Sequence, residues 1–90
     1  MIARRFLVTG RVQGVGFRAF VRRAAGRVEL AGFARNLPDG SVEVVARGTA
    51  PALDELESKV RVGPAFGRVS SLEVVEISVE GDFPIPFEIR

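Results

Sequence analysis

The chain contains no cysteine, no histidine, no tyrosine and no tryptophan, and only one lysine, Lys59, and one methionine, Met1. Each absence excludes a class of chemistry. Without cysteine there is no disulfide, no thiolate metal site and no thiol nucleophile. Without histidine there is no Ser-His-Asp arrangement, no ordinary general base near neutral pH and no imidazole ligand for a transition metal. Catalysis by this chain has to use arginine, asparagine, serine, carboxylates, backbone amides and water. No apolar run approaches the roughly 20 residues of a membrane-spanning helix. Residues 1–10 are short, carry Arg4 and Arg5 and run into a glycine-rich loop, so they do not read as a secretory signal. A cytoplasmic protein that binds neither membrane nor nucleic acid is expected.

What is present is enough for one domain. Ninety residues, 47% hydrophobic and 27% charged, with a mean hydropathy of +0.20, can bury a single core. One domain over residues 1–90, acting as a monomer, is the expectation. The pI near 10.4 overstates the basic character, because 13 basic against 11 acidic residues leave a formal charge of only +2. With nothing to titrate in the middle range, that small excess persists to the pKa of lysine and arginine. The basic residues are nearly all arginine, whose planar fork suits oxyanions.

Phe6 to Gly10 alternates as a strand and ends in the loop Arg11-Val12-Gln13-Gly14-Val15-Gly16. Phe17, Phe20, Val21, Ala24 and Val28 then form an apolar helical stripe opposite Arg18, Arg22, Arg23 and Arg27. Gly32 to Leu37 is extended, Pro38-Asp39-Gly40 is a tight turn, and in Ser41–Arg47 the residues Val42, Val44 and Ala46 share one face while Glu43 and Arg47 share the other. Thr49 or Ala50 precedes a helix with Pro51 near its start, and Leu53, Leu56 and Val60 mark its buried face up to Gly63-Pro64. Val69 to Val79 is extended, with a change of apolar phase between Val74 and Val75 that fits a bulge or different exposure of its two ends. Phe83 to Ile89 holds a last short strand. This is an α+β pattern, βαββαβ with a short extra C-terminal strand, which predicts a ferredoxin-like sandwich: an antiparallel sheet with two helices on one face.

Two places could carry chemistry. The turn Gly10–Arg18 lies between a strand and a helix, where backbone N–H groups and the positive end of the helix dipole favour an anion, and Arg18 could reach back over it. Spacing alone leaves the matter open, since a short glycine pattern is as a rule only a turn of the chain and the arginine one of several on a solvated helix face. The loop lacks the G-x-x-x-x-G-K-[ST] ending of a Walker loop and the G-x-G-x-x-G of a dinucleotide site. Asn36 carries an amide that can donate to and accept from a water, or simply starts the following turn. Asp39 reads as a turn residue, and Glu43, Asp54, Glu55 and Glu57 as solvated faces. A binding module for RNA on the same fold would need aromatic side chains on its open sheet face, and tyrosine and tryptophan are absent.

Gly10-Arg11-Val12-Gln13-Gly14-Val15-Gly16-Phe17-Arg18 resembles the signature loop of the acylphosphatase family. Gly32-Phe33-Ala34-Arg35-Asn36, Asp39 to Val44, Gly63-Pro64 and the closing Phe87-Glu88-Ile89-Arg90 are similar to further family motifs, so the resemblance spans essentially the whole chain. It implies hydrolysis of the carboxyl-phosphate bond of small acyl phosphates to a carboxylate and inorganic phosphate, with no cofactor and no metal. By the same match, Arg18 would bind the phosphoryl group, Asn36 would orient water, and Gln13, Gly14, Val15, Gly16 and Phe17 would offer backbone donors. The chain departs from the family where it has Glu29 for a frequent glycine at the end of the first helix, Phe33 for tryptophan and Ala34 for valine; these bear on a helix cap and on packing.

Overall fold

The computed structural model describes residues 1–90. Its elements follow one another as β1 (Ile2–Arg11), α1 (Phe17–Arg27), β2 (Ala31–Asn36), β3 (Val42–Gly48), α2 (Ala50–Val62), β4 (Arg68–Ile77) and β5 (Glu88–Ile89). They form one five-stranded sheet in the order β4-β1-β3-β2-β5. Helical and strand residues with inward side chains merge in a single cluster: Phe6, Val8, Ala34, Val42, Val44 and Ala46 from the sheet, Phe17, Val21 and Ala25 from α1, and Leu53, Leu56 and Val60 from α2. Both helices therefore cover the same face. The ferredoxin-like expectation holds, with one refinement: β5 pairs parallel to β2, through Phe33 with Glu88 and Ala34 with Ile89, so the sheet is mixed. The reason is topological. β4 lies at one edge and β5 at the other, so residues 78–87 must cross the sheet before the chain can add its last strand.

Alternation explains why the helices pack on one face. Along β1, Phe6 and Val8 point into the core while Arg5 and Leu7 point to the helix-free face, and β3 does the same with Val42 and Val44 against Glu43 and Val45. The apolar change of phase in β4 comes out as two differently faced ends. Leu72 and Val74 sit beside Val8 and Phe6 on the helix side, whereas Val75 and Ile77 sit beside Arg5 and Ala3 on the open side. The register is continuous there. It slips instead between Thr9 and Gly10, which pair with Ser71 and Val69 and leave Ser70 as the extra residue.

The second helix starts as its sequence prescribes. Thr49 is the N-cap and its hydroxyl accepts from the Ala52 N–H at 3.3 Å, with Pro51 in the first turn, where a missing N–H costs nothing. The first helix ends unusually. The Leu30 N–H reaches the Ala25 carbonyl at 3.0 Å and the Glu29 N–H reaches the Gly26 carbonyl at 3.3 Å, the pair of bonds of a Schellman motif. That motif puts Glu29 in the left-handed region, at φ 57°, and it is the one residue other than glycine with positive φ.

No helix is long and apolar enough to cross a membrane.

Candidate active site

β1 and β2 each pair antiparallel to β3, so they run parallel to each other and their C-terminal ends lie at the same end of the sheet. The loop Val12–Gly16 leaves the end of β1 and enters α1, while Asn36 is the last residue of β2. The topology thus brings together the two segments that the sequence singled out. They are not neighbours in the sheet, because β3 lies between them, and two strand spacings separate their axes by about 10 Å.

The loop is built to offer donors. Gly14 and Gly16 have φ of 73° and 77°, and a Cβ at either would meet nothing within 4 Å. They are glycines for conformation, because an L side chain is strained there, and not for space. Gly16 is the N-cap of α1 and brings no side-chain cap, and the first turn holds no acidic residue. The first helical bond is Phe20 N–H to the Gly16 carbonyl at 3.0 Å. Consequently the N–H groups of Gln13, Gly14, Val15, Gly16, Phe17, Arg18 and Ala19 donate to no other group of the chain. A run of free donors at the positive end of a helix dipole is suited to hold an anion, as a cradle. Of the two readings of the glycine loop, this geometry favours the cradle.

Arg18 stands in the first turn of α1, half-buried, and its Nη1 donates to the Arg90 carbonyl at 3.0 Å. Arg90 is itself fixed. Its N–H bonds the Ala34 carbonyl at 2.8 Å, its guanidinium lies 4.3 Å above the Phe33 ring, and it pairs with Asp82 at 2.5 Å and Glu88 at 3.0 Å. The hydrogen bond from Arg90 holds the Asp82 carboxyl below its usual value, and Asp82 and Glu88 together raise that of Arg90. Arg18 is therefore tethered beside β2, two residues upstream of Asn36. Arg90 entered the sequence reading only as part of a closing motif, and nothing local in the sequence shows this tether.

Asn36 is exposed and its side chain makes no hydrogen bond within the chain. The turn that follows uses Asp39 instead, whose carboxylate accepts from the Ser41 N–H at 3.0 Å and from the Ser41 hydroxyl at 2.5 Å. Those bonds lower the Asp39 pKa. The Asn36 amide is thus left to face solvent at the mouth of the cradle end of the sheet.

One expectation is corrected. Glu43 is not on a solvated face: it is 6% exposed, and its two carboxylate oxygens take the Nε groups of Arg5 and Arg35 at 2.5 Å each. Its flanking strands carry the arginines to either side of it, which alternation along a single strand does not reveal. Burial alone would raise its carboxyl pKa; the two guanidinium hydrogen bonds and charges more than reverse this and hold it low.

An acylphosphatase family model matches residues 4–89, nearly the whole chain. The chain belongs to the acylphosphatase family. It is 51% identical over 74 residues to an acylphosphatase from Chlorobaculum tepidum, covering 82% of this chain and 80% of the relative. Against an acylphosphatase from Nitratidesulfovibrio vulgaris the identity is 47% over 91 residues, covering 100% of this chain and 91% of that one. The crystal structure of acylphosphatase from Bacillus subtilis superposes with a TM-score of 0.92 at 42% identity, covering 100% of this chain and 99% of the other. As an acylphosphatase-family enzyme the chain keeps the family's fold despite Glu29, at the far end of α1, and Phe33 and Ala34, which lie in β2 and carry the Arg90 contacts that tether Arg18.

Proposed function

We propose that this protein is a metal-independent acylphosphatase that cleaves the carboxyl-phosphate bond of small acyl phosphates. The observation that carries the reading is the unbroken run of free N–H groups from Gln13 to Ala19 at the start of α1, with Arg18 inside it. A phosphoryl group has three equatorial oxygens. Backbone donors from Gln13, Gly14, Val15, Gly16 and Phe17 reach them without side-chain entropy, and the Arg18 fork adds charge-assisted bonds.

Phosphoryl transfer passes through a loose transition state, so the protein's work is positioning and charge stabilisation. Water held by the Asn36 amide attacks phosphorus in line. Its oxygen bonds to phosphorus, the bond from phosphorus to the bridging oxygen breaks, and that electron pair leaves on the carboxylate. Both water protons end on phosphate oxygens, giving dihydrogen phosphate. A carboxylate is a weak base and leaves without a general acid, which suits a chain with neither histidine nor cysteine. No covalent intermediate is needed.

The test is hydrolysis of benzoyl phosphate in the presence of EDTA, comparing wild type with Arg18→Ala and Asn36→Ala. Losing one donor to a developing oxyanion costs about 3–4 kcal/mol, a factor of about 10²–10³ in rate, and Arg18→Ala is expected to lose at least that. Asn36→Ala is expected to lower turnover strongly while inorganic phosphate still inhibits. A folded wild type that binds phosphate and turns nothing over would make the cradle a phosphoanion-binding site without catalysis.

A further inference from the structure

The cradle and Asn36 are carried by different strands with β3 between them, so something has to fix their separation. The Gln13 side chain does this. Its Nε2 donates to the Leu37 carbonyl at 2.8 Å and to the Ser41 carbonyl at 2.9 Å, so both amide protons are used. Those two carbonyls close the turn that follows Asn36: Leu37 accepts from the Gly40 N–H at 3.1 Å, and Ser41 accepts from the Leu37 N–H at 2.8 Å. Ser41 also leads into Val42, the register partner of Asn36. No other side-chain hydrogen bond joins residues 12–16 to the rest of the chain. One amide group, partly buried, therefore ties the phosphate loop to the residue next to Asn36 and to the start of the strand that pairs with it.

We infer that Gln13 is a positioning residue: through Leu37 and Ser41 it sets where the Asn36 amide, and the water on it, stand relative to phosphorus in the cradle. This rests on the functional reading above and adds a role for the Gln13 side chain to the backbone donor already assigned to that residue. The chemical reason is that in-line attack tolerates little misplacement; a shift of about 1 Å can cost on the order of 10²-fold in rate. Phe17, Arg18 and Ala19 stand in the first turn of α1 and Arg18 is tethered by Arg90, so this share of the phosphate contacts does not depend on the staple, whereas the placing of Asn36 does.

The experiment compares Gln13→Met, which keeps the side chain's length and loses both donors, and Gln13→Ala, each in the wild-type and the Asn36→Ala background. Benzoyl phosphate turnover, KM and inhibition by inorganic phosphate are measured, with thermal unfolding as the check on folding. In the wild-type background kcat is expected to fall by about 10- to 100-fold, a larger change than that in phosphate inhibition. In the Asn36→Ala background the same substitutions should change kcat little, because the group being positioned is gone. Equal losses in both backgrounds, a loss confined to phosphate binding, or failure of both variants to fold would overturn the inference and leave Gln13 a purely structural residue. A wild type without turnover would remove the functional reading and this inference together; normal wild-type turnover with an additive cycle would remove this one alone.

Discussion

Glu29→Gly should make the protein more stable. Glu29 occupies the left-handed position of the Schellman motif that ends α1, at φ 57°, where a residue with a Cβ costs about 1–2 kcal/mol. Glycine removes that strain but has more freedom to lose on folding, about 0.5–1 kcal/mol in the opposite direction. The side chain makes no hydrogen bond or ion pair, so nothing else is lost, and removing a negative charge from the negative end of the helix dipole helps by about 0.3 kcal/mol. The net is about 1 kcal/mol of stabilisation. For a domain of this size 1 kcal/mol moves Tm by about 4–8 °C, which is the expected rise. The assay is thermal and urea unfolding followed by circular dichroism, with the midpoint rising and the urea slope unchanged. Glu29→Ala is the control: it removes the charge and keeps the strain, and should lie within about 0.5 kcal/mol of wild type. Turnover should not change, since α1 carries the cradle at its other end, eleven residues and about 16 Å away. Glu29→Gly no more stable than Glu29→Ala would refute the reasoning, because the backbone conformation would then not be what the glycine relieves.

Further predictions concern the carboxylate on the open face and the cap of the cradle. Glu43→Ala leaves the Arg5 and Arg35 guanidiniums without their shared partner. A buried pair broken in this way costs about 3–5 kcal/mol, but both arginines are more than a third exposed, so a loss of about 2 kcal/mol is expected in urea unfolding. Because the native pKa of Glu43 is held below its usual 4.5, its contribution is complete above about pH 4.5 and is lost as pH falls through the lowered native value. The difference between wild type and Glu43→Ala should therefore be constant near neutrality and shrink in acid; a difference that grows in acid would contradict the sign. Gly16→Ala meets no steric obstacle but is forced to adopt φ near 77°, at a cost of about 1–2 kcal/mol in stability, and should weaken inhibition by inorganic phosphate as the cradle relaxes. A Gly16→Ala protein with wild-type stability and phosphate affinity would show that the left-handed N-cap is not required.

Local patterns in the sequence were sufficient for the elements that are amphipathic at one period. The stripe of α1, the Leu53-Leu56-Val60 face of α2 and the alternation of β3 each name their buried side directly, since period fixes facing. The cradle was half legible: glycines and a helix start mark a possible anion site, and the family motif assigns it. That the N–H groups from Gln13 to Ala19 are all free is a matter of where every other donor and acceptor goes, which is known only from the fold.

The rest was decided by strand order and by partners far apart in the chain. Phe6, Val8, Val42 and Val44 could be assigned to one face from their own strands, but that Glu43 sits between Arg5 and Arg35 required β1, β3 and β2 to lie side by side. The apolar change at Val74-Val75 was visible, while the register slip belongs to Ser70 because it depends on how β4 meets β1. Gln13 reaches residues 24 and 28 positions away, and Arg18 is held by a carbonyl 72 positions away. The sequence by itself determined which residues are apolar, which turn and which could bind an oxyanion, because those are properties of single residues and short periods. Only the tertiary structure decided which of them meet, because β3 had to be placed between β1 and β2 before the loop, Arg18 and Asn36 could share one end of the sheet.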